Sequence, residues 1–273
     1  MRKNITKMGV FEQFFAFIGK RALNFANLFS GFGHFWMFQF KLLPLYFKSP
    51  LRIKEIFKQM EVVGIGSIGL ITLTGVFTGL VSAVQLYQAF HQFGAQNMMG
   101  YPIFISLARE LGPVFAGLMI TSRAISAMAA ELGTMRVTEQ IDALDTLAVD
   151  SKKYLLIPRI FATTLSLPLL VVLFVFLGNL SAYLISVYAL GINETAYLNT
   201  INMYLKLSDI LTGVFKGLIF GFAVGMIGTY VGYHAKGGAR GVGVATTTAV
   251  VYAAIVVFVM DYFLSSLFLI IGW

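Results

Sequence analysis

From about residue 60 onward the chain alternates long apolar stretches with short polar ones. A helix needs about 20 mostly apolar residues to cross the hydrocarbon core of a bilayer. Five stretches meet that requirement: Val62–Leu86, Pro102–Ala130, Leu155–Tyr188, Ile210–Tyr233 and Thr246–Ile271. The second and third are longer than the bilayer demands, so tilt, kinks or protruding ends are expected. Pro113 and Pro168 lie inside them and give a cause for kinks. Upstream, Phe11, Phe14, Phe15, Ile18, Ala22, Phe25 and Phe29 recur at helical spacing, with Glu12, Gln13, Lys20, Arg21, Asn24 and Asn27 largely between them. That pattern predicts an amphipathic helix lying in the membrane interface. Phe32–Phe47 is aromatic-rich but is interrupted by His34, Gln39, Lys41 and Pro44, and is too short to span. No small-residue cleavage site follows a clean apolar core, so the N-terminus does not read as a signal peptide. The expected fold is an all-α integral membrane protein, with interfacial elbow helices over 1–60 and a five-span domain over 61–273.

Composition sharpens this. Of 273 residues, 58% are hydrophobic and 12% charged, against roughly 25% charged in soluble domains. An ordinary soluble enzyme is excluded, and five spans leave no room for a separate soluble catalytic domain. The chain has no cysteine, which excludes disulfides, thiol nucleophiles and Cys-ligated metals. The net charge is +8, and its distribution is more informative than its sum. Arg2, Lys3, Lys7, Lys20, Arg21, Lys41, Lys48, Arg52, Lys54 and Lys58 precede the first span, and the loop Tyr87 to Tyr101 has no Lys or Arg. Arg136, Lys152 and Lys153 fill the next loop, Lys206 alone the one after, and Lys236 and Arg240 the last. Positive residues favour the cytoplasmic side, so the N-terminus is expected in the cytoplasm and the C-terminus on the periplasmic side. The basic balance fits anionic lipid head groups, and no nucleic-acid partner is expected.

Several motifs exclude chemistry. Gly64-Ile65-Gly66-Ser67-Ile68-Gly69 matches G-x-G-x-x-G, but it enters a span and Gln85 stands near the position of the required acid. Gly237 to Gly243 is glycine-rich but lacks the Gly-Lys-Ser/Thr ending of a phosphate loop. His34, His91 and His234 are scattered without metal-ligand spacing, so no metal site is expected. No serine sits in a nucleophile-elbow context.

Other patterns carry weight. Gly213, Gly217, Gly221 and Gly225 recur every four residues on one face of the fourth span. Small residues at that spacing let a neighbouring helix approach closely, either within one subunit or at a dimer seam. Gly75 and Gly79, and Ser122, Ser126 and Ala130, are similar. Charges inside spans are costly and each needs an account. Arg109, Glu110, Lys216 and Asp261 fall in one layer, about 10 Å below the non-cytoplasmic end at 1.5 Å per residue. They are expected to neutralise one another, as a structural network or as a polar wall beside a head-group pathway. A proton relay is a weaker alternative. Arg123 lies nearer the cytoplasm and has no partner evident from the sequence. Between the second and third spans, Val137, Ile141, Leu144 and Ala148 follow helical spacing and Leu147 joins them, with acids on the other side. A short amphipathic helix is expected near 136–149, Thr138 capping its start.

Leu107-Ala108-Arg109-Glu110-Leu111-Gly112-Pro113-Val114, Arg123-Ala124 and Ala130-Glu131-Leu132-Gly133-Thr134-Met135-Arg136-Val137-Thr138-Glu139-Gln140-Ile141-Asp142-Ala143-Leu144 closely resemble the MlaE family of permeases. So do Val149-Asp150 through Pro158-Arg159, Ser166-Leu167-Pro168-Leu169-Leu170, Gly237 through Thr247, and Asp261. The resemblance covers about 60–273. It implies a homodimer in the bacterial inner membrane, with two copies of an ABC ATPase on the cytoplasmic side and a hexameric MCE-domain protein on the periplasmic side. Some systems add a STAS-domain protein. It further implies transport of phospholipids between the inner membrane and the MCE route, maintaining outer-membrane lipid asymmetry. No cofactor is implied in this chain, ATP and Mg being bound by the ATPase. By the same resemblance, Arg136, Glu139, Gln140, Ile141, Asp142 and Leu144 belong to the ATPase-coupling helix. Val76, Leu80, Val84 and Tyr87 line a lipid cavity at the dimer interface, with Arg109, Glu110 and Lys216 near it. Val244 stands where some relatives carry arginine. The competing expectations are a proton-coupled secondary transporter using Glu110 and Asp261, and an intramembrane lipid enzyme. No paired His/Asp or Ser/His arrangement supports the enzyme, and no internal repeat supports the transporter.

Overall fold

The computed structural model describes residues 31, 33–47 and 52–272. They fall into two units, Met1–Ser49 and Pro50–Trp273. In the first, residues 33–47 form a helix. The amphipathic helix expected over Phe11–Phe29 lies outside the described residues.

In the second unit all five expected spans are helices: Ile53–His91, Gly100–Val137, Lys152–Ala189, Leu207–Tyr233 and Gly238–Ile271. The second and third run 38 residues each, about 57 Å at 1.5 Å per residue against a hydrocarbon core of roughly 30 Å. Both must project beyond it or tilt. The second is also interrupted by widened π-type turns at Leu107–Leu111 and Thr121–Ile125. Pro113 follows the first of these. A proline has no N–H to return to the preceding turn, and the widened turn accommodates that gap.

The first span has two parts. Ile53–Val63 is amphipathic, with Ile53 and Phe57 exposed. A tight turn over Ile65–Ser67 then leads into the apolar helix Ile68–His91. The membrane-crossing part is therefore Ile68–His91, and Ile53–Val63 has the character of an interfacial helix.

The third and fourth spans form the centre of the bundle, with the first packed on the third and the fifth on the fourth and on Ser126–Val137 of the second. The glycine stripe of the fourth span makes this possible. Gly213 lies directly on the Ala108 carbonyl, and Gly225 on Thr163. A Cβ on Gly217 would stand 3.0 Å from Val171, and one on Gly221 2.5 Å from the Thr163 carbonyl oxygen. The stripe thus packs against the second and third spans of the same chain. Gly79 meets Gly178 in the same manner between the first and third spans.

The second and third spans are joined by the loop that holds helix Gln140–Thr146, at the end we call the basic end. At the far end a helix over Glu194–Tyr204 precedes the fourth span. The hydropathy pattern does not predict this helix. Asn193 starts it, its Oδ1 accepting the Ala196 N–H at 3.0 Å, and that Asn-Glu start was the available signal.

Candidate functional site

Lys216 is fully buried in the fourth span. Its ammonium donates to Glu110 Oε2 of the second span at 2.6 Å, and to Asp261 Oδ1 and Ser265 Oγ of the fifth at 2.9 and 2.7 Å. An ammonium has three donors, and all three are used. Ser265 Oγ is also within 3.0 Å of Glu110 Oε2 and 2.8 Å of the Asp261 carbonyl oxygen, either of which accepts its single proton. One cation thus ties three spans together, about 15 Å along the helices from the far end.

The cluster has two carboxylates for one ammonium, and it is not sealed. The Glu110 side chain is 46% exposed on the surface of the chain, while that of Asp261 is 20% exposed. A half-exposed carboxylate at this depth is very costly against hydrocarbon, so it needs protein or a water-filled space beside it.

Arg109 does not join this cluster. Its Nε lies 3.5 Å from Asp209 Oδ1 at the start of the fourth span, because neighbouring residues on a helix point in directions about 100° apart. Asp209 is buried and also accepts the Lys206 backbone N–H at 3.0 Å. Asp209 was not among the in-span charges expected from the sequence; an acid at the start of a span was the available signal.

Arg123 finds a partner that no survey of charges shows. Its Nη1 donates to the Val62 carbonyl oxygen at 3.0 Å and to Ser67 Oγ at 3.1 Å, at the break in the first span. Its guanidinium lies against Gly66, where a Cβ would collide with it. The G-x-G-x-x-G segment therefore serves a helix break and its arginine brace. Arg159, a further in-span charge that the sequence analysis did not count, is buried and pairs with Glu131 Oε1 at 2.8 Å.

Val76, Leu80 and Tyr87 are half-buried on the first span, and Val84 is exposed. They do not line the apolar cavity of about 400 Å³ found in this chain. That cavity lies in the far half, between the second to fourth spans and helix Glu194–Tyr204, with Phe104, Val175, Phe176, Leu180 and Leu198 among its walls. Its polar fittings are Asn179, whose Nδ2 donates to the Val175 carbonyl oxygen at 2.8 Å, Tyr183, whose hydroxyl donates to Glu194 Oε1 at 2.7 Å, and Tyr197. Burial pushes the Tyr197 phenol up to about 12.

The loop helix is shorter than expected, Gln140–Thr146. Arg136 and Val137 belong to the end of the second span. Thr138 does not cap the loop helix. It ends the preceding one, its hydroxyl donating to the Thr134 carbonyl oxygen. Glu139 occupies the cap position instead, with φ of 60°. Ala148, just past the other end, has φ of 59°. Two non-glycine residues in the left-handed region hold the helix between two sharp reversals. Ile141 is its buried anchor, and Arg136 Nη1 meets Asp142 Oδ1 at 2.6 Å. Glu139, Gln140, Asp142 and Asp145 are exposed, Leu144 is half-buried, and Leu147 is 73% exposed. This face is an acidic and apolar projection from the basic end.

The family described as Permease MlaE matches residues 56–267. A probable ABC transporter permease protein of Rickettsia felis is 40% identical over 251 residues, covering 92% of this chain and 96% of the relative. A probable ABC transporter permease of Synechocystis is 41% identical over 210 residues, covering 77% of this chain and 80% of the relative. The intermembrane phospholipid transport system permease protein MlaE of Haemophilus influenzae is 36% identical over 211 residues, covering 77% and 81%.

Proposed function

Since the chain belongs to the MlaE permease family of ABC transporters, we propose that two copies of it form the membrane path of a phospholipid transporter in the bacterial inner membrane. One observation carries the reading: the half-exposed carboxylate of Glu110, bound to a buried lysine at membrane depth. Facing lipid tails it would be severely destabilising. Beside a second copy, across a polar cavity, it becomes part of a wall along which a head group passes. Val76, Leu80, Val84 and Tyr87 then supply the apolar part of that wall for acyl chains, and Arg109 and Lys216 the positive charge near it.

In this reading the basic end is cytoplasmic, as its Lys and Arg content favours. Two ATPase subunits, which bind ATP and Mg, receive helix Gln140–Thr146 through its exposed face. Closure of the ATPases moves that helix. Buried Ile141 and the Arg136–Asp142 pair pass the motion to the second span, whose far half carries Glu110. A continuous helical span that bears both the loop contact and the carboxylate is a physical connection between the two ends. On the periplasmic side a hexameric MCE-domain protein receives or supplies the lipid, a STAS-domain protein joins the ATPase in some assemblies, and the traffic sustains outer-membrane asymmetry.

The test is to recover the tagged chain from its native membrane and measure ATPase activity and bound lipid on the product, then lipid transfer in proteoliposomes. Co-purified ATPase and MCE subunits with ATP-dependent phospholipid transfer are expected. Uptake driven by a proton gradient, without an ATPase, would instead establish a secondary transporter.

A further inference from the structure

A second polar site lies at the basic end, remote from Lys216. Helix Ile53–Val63, the end of the second span and the start of the third enclose a pocket of about 160 Å³. Its charged walls are Glu55 and Lys58 from the first element, Glu131 from the second and Arg159 from the third, with Gln59 and Tyr154 between them. Two features distinguish it from an ordinary surface cleft. Arg159 is only 4% exposed, and although it pairs with Glu131 and donates to the Leu155 carbonyl oxygen at 2.8 Å, its buried Nε has no hydrogen-bond partner among the described residues. A buried donor without an acceptor is costly and marks a place where an acceptor is missing. The lining also carries both signs, two carboxylates and two cations, rather than one. A simple anion meets the carboxylates, a simple cation meets Arg159 and Lys58, and a zwitterion finds charge complementary to each of its groups.

The position adds the chemistry. Beside the pocket the amphipathic helix exposes Ile53 and Phe57, so it lies at the level where apolar tails give way to head groups. The pocket holds about five waters' worth of volume, room for one compact head group and not for an acyl chain. It is also bounded by the two stems of the loop that carries helix Gln140–Thr146, through Glu131 and Met135 before the loop and Tyr154 and Arg159 after it.

We propose that this pocket binds the phosphoethanolamine group, with the phosphate on Arg159 and Lys58 and the primary ammonium on Glu55 and Glu131, and that its occupancy braces the two stems of the loop. The source favoured by its position is phosphatidylethanolamine of the adjoining leaflet. The site rests on the bundle spanning a membrane and stands whether or not phospholipid is also the transported cargo.

The test is thermal unfolding of the full chain in a non-ionic detergent, titrated separately with phosphatidylethanolamine, phosphatidylcholine, phosphatidylglycerol and soluble glycerophosphoethanolamine. Phosphatidylethanolamine is expected to raise the midpoint saturably. Phosphatidylcholine, whose quaternary ammonium has no N–H to give the carboxylates, should need about tenfold more. A shift of the same size from glycerophosphoethanolamine supports the site and assigns it to a soluble ligand. Lys58→Glu, on an exposed position, and Met135→Trp, which fills the pocket, should each weaken the response about tenfold or more. If Met135→Trp fails to fold, Lys58→Glu alone decides. Equal shifts from phosphatidylglycerol, or an unchanged response in Lys58→Glu, overturn the proposal. Loss of ATP-driven lipid transfer with the shift intact counts against the transport reading and leaves this site standing.

Discussion

The fourth and fifth spans are both long, apolar and adjacent, yet they meet different surroundings. In the most apolar window of the fourth, 56% of residues are buried within the chain; in that of the fifth, 11% are. The fourth carries a glycine every four residues and lies against the backbone of the second and third. The fifth carries Val251, Ile255, Phe258 and Tyr262 outward, all exposed. Hydropathy does not separate them, because lipid and protein interior are equally apolar. What separates them is residue size, and a strong polar link joins them, Lys216 to Asp261 and Ser265.

Breaking that link should have the largest effect. Lys216→Met leaves Glu110 and Asp261 without their cation, and removing one partner of a buried ion pair costs about 3–5 kcal/mol. The unfolding midpoint of the purified chain should fall accordingly, and adding Glu110→Gln and Asp261→Asn should restore much of it. Glu110→Gln by itself should cost less, since Asp261 remains on the ammonium.

Gly221→Leu comes next. The side chain would enter the Thr163 and Thr164 backbone, which cannot swing aside, and overpacking of this kind costs about 1–3 kcal/mol. The same measurement reads it, and an unchanged midpoint would show that the seam is looser than the geometry indicates. Ser265→Ala removes one of three acceptors of Lys216 and should cost about 1 kcal/mol. Phe258→Ala is expected to shift the stability of the single chain by less than about 0.5 kcal/mol, as exposed positions do, while weakening association between copies, read by light scattering in detergent. A large loss in the single chain would show that the fifth span is held by more than its polar link.

Much of this was legible in the sequence, for identifiable reasons. Span number and approximate ends follow from length and hydropathy alone. The four-residue glycine period marks the seam because close approach requires small residues. The meeting of Glu110, Lys216 and Asp261 follows from equal depth on three helices. Depth did not separate Arg109 from its neighbour, because azimuth around a helix decides which way each points. Arg123 bonds a carbonyl at the helix break, and a backbone acceptor leaves no trace in a survey of charges. The loop helix came out short because Thr138, a good cap by type, sits one residue too early, and Glu139 takes the left-handed turn that starts the next helix.

The proposed dimer places a second copy beside Glu110, and the exposed face of the adjoining fifth span is the contact to test. The chain has no cysteine, so single substitutions give an unambiguous signal. Val251→Cys, Ile255→Cys, Phe258→Cys and Tyr262→Cys are compared by oxidative cross-linking in native membranes with Phe176→Cys, an exposed position on the third span. Cross-linked dimers from one or more of the four fifth-span positions, and none from Phe176, are predicted. Dimers from Phe176 with none from the fifth span would contradict the account.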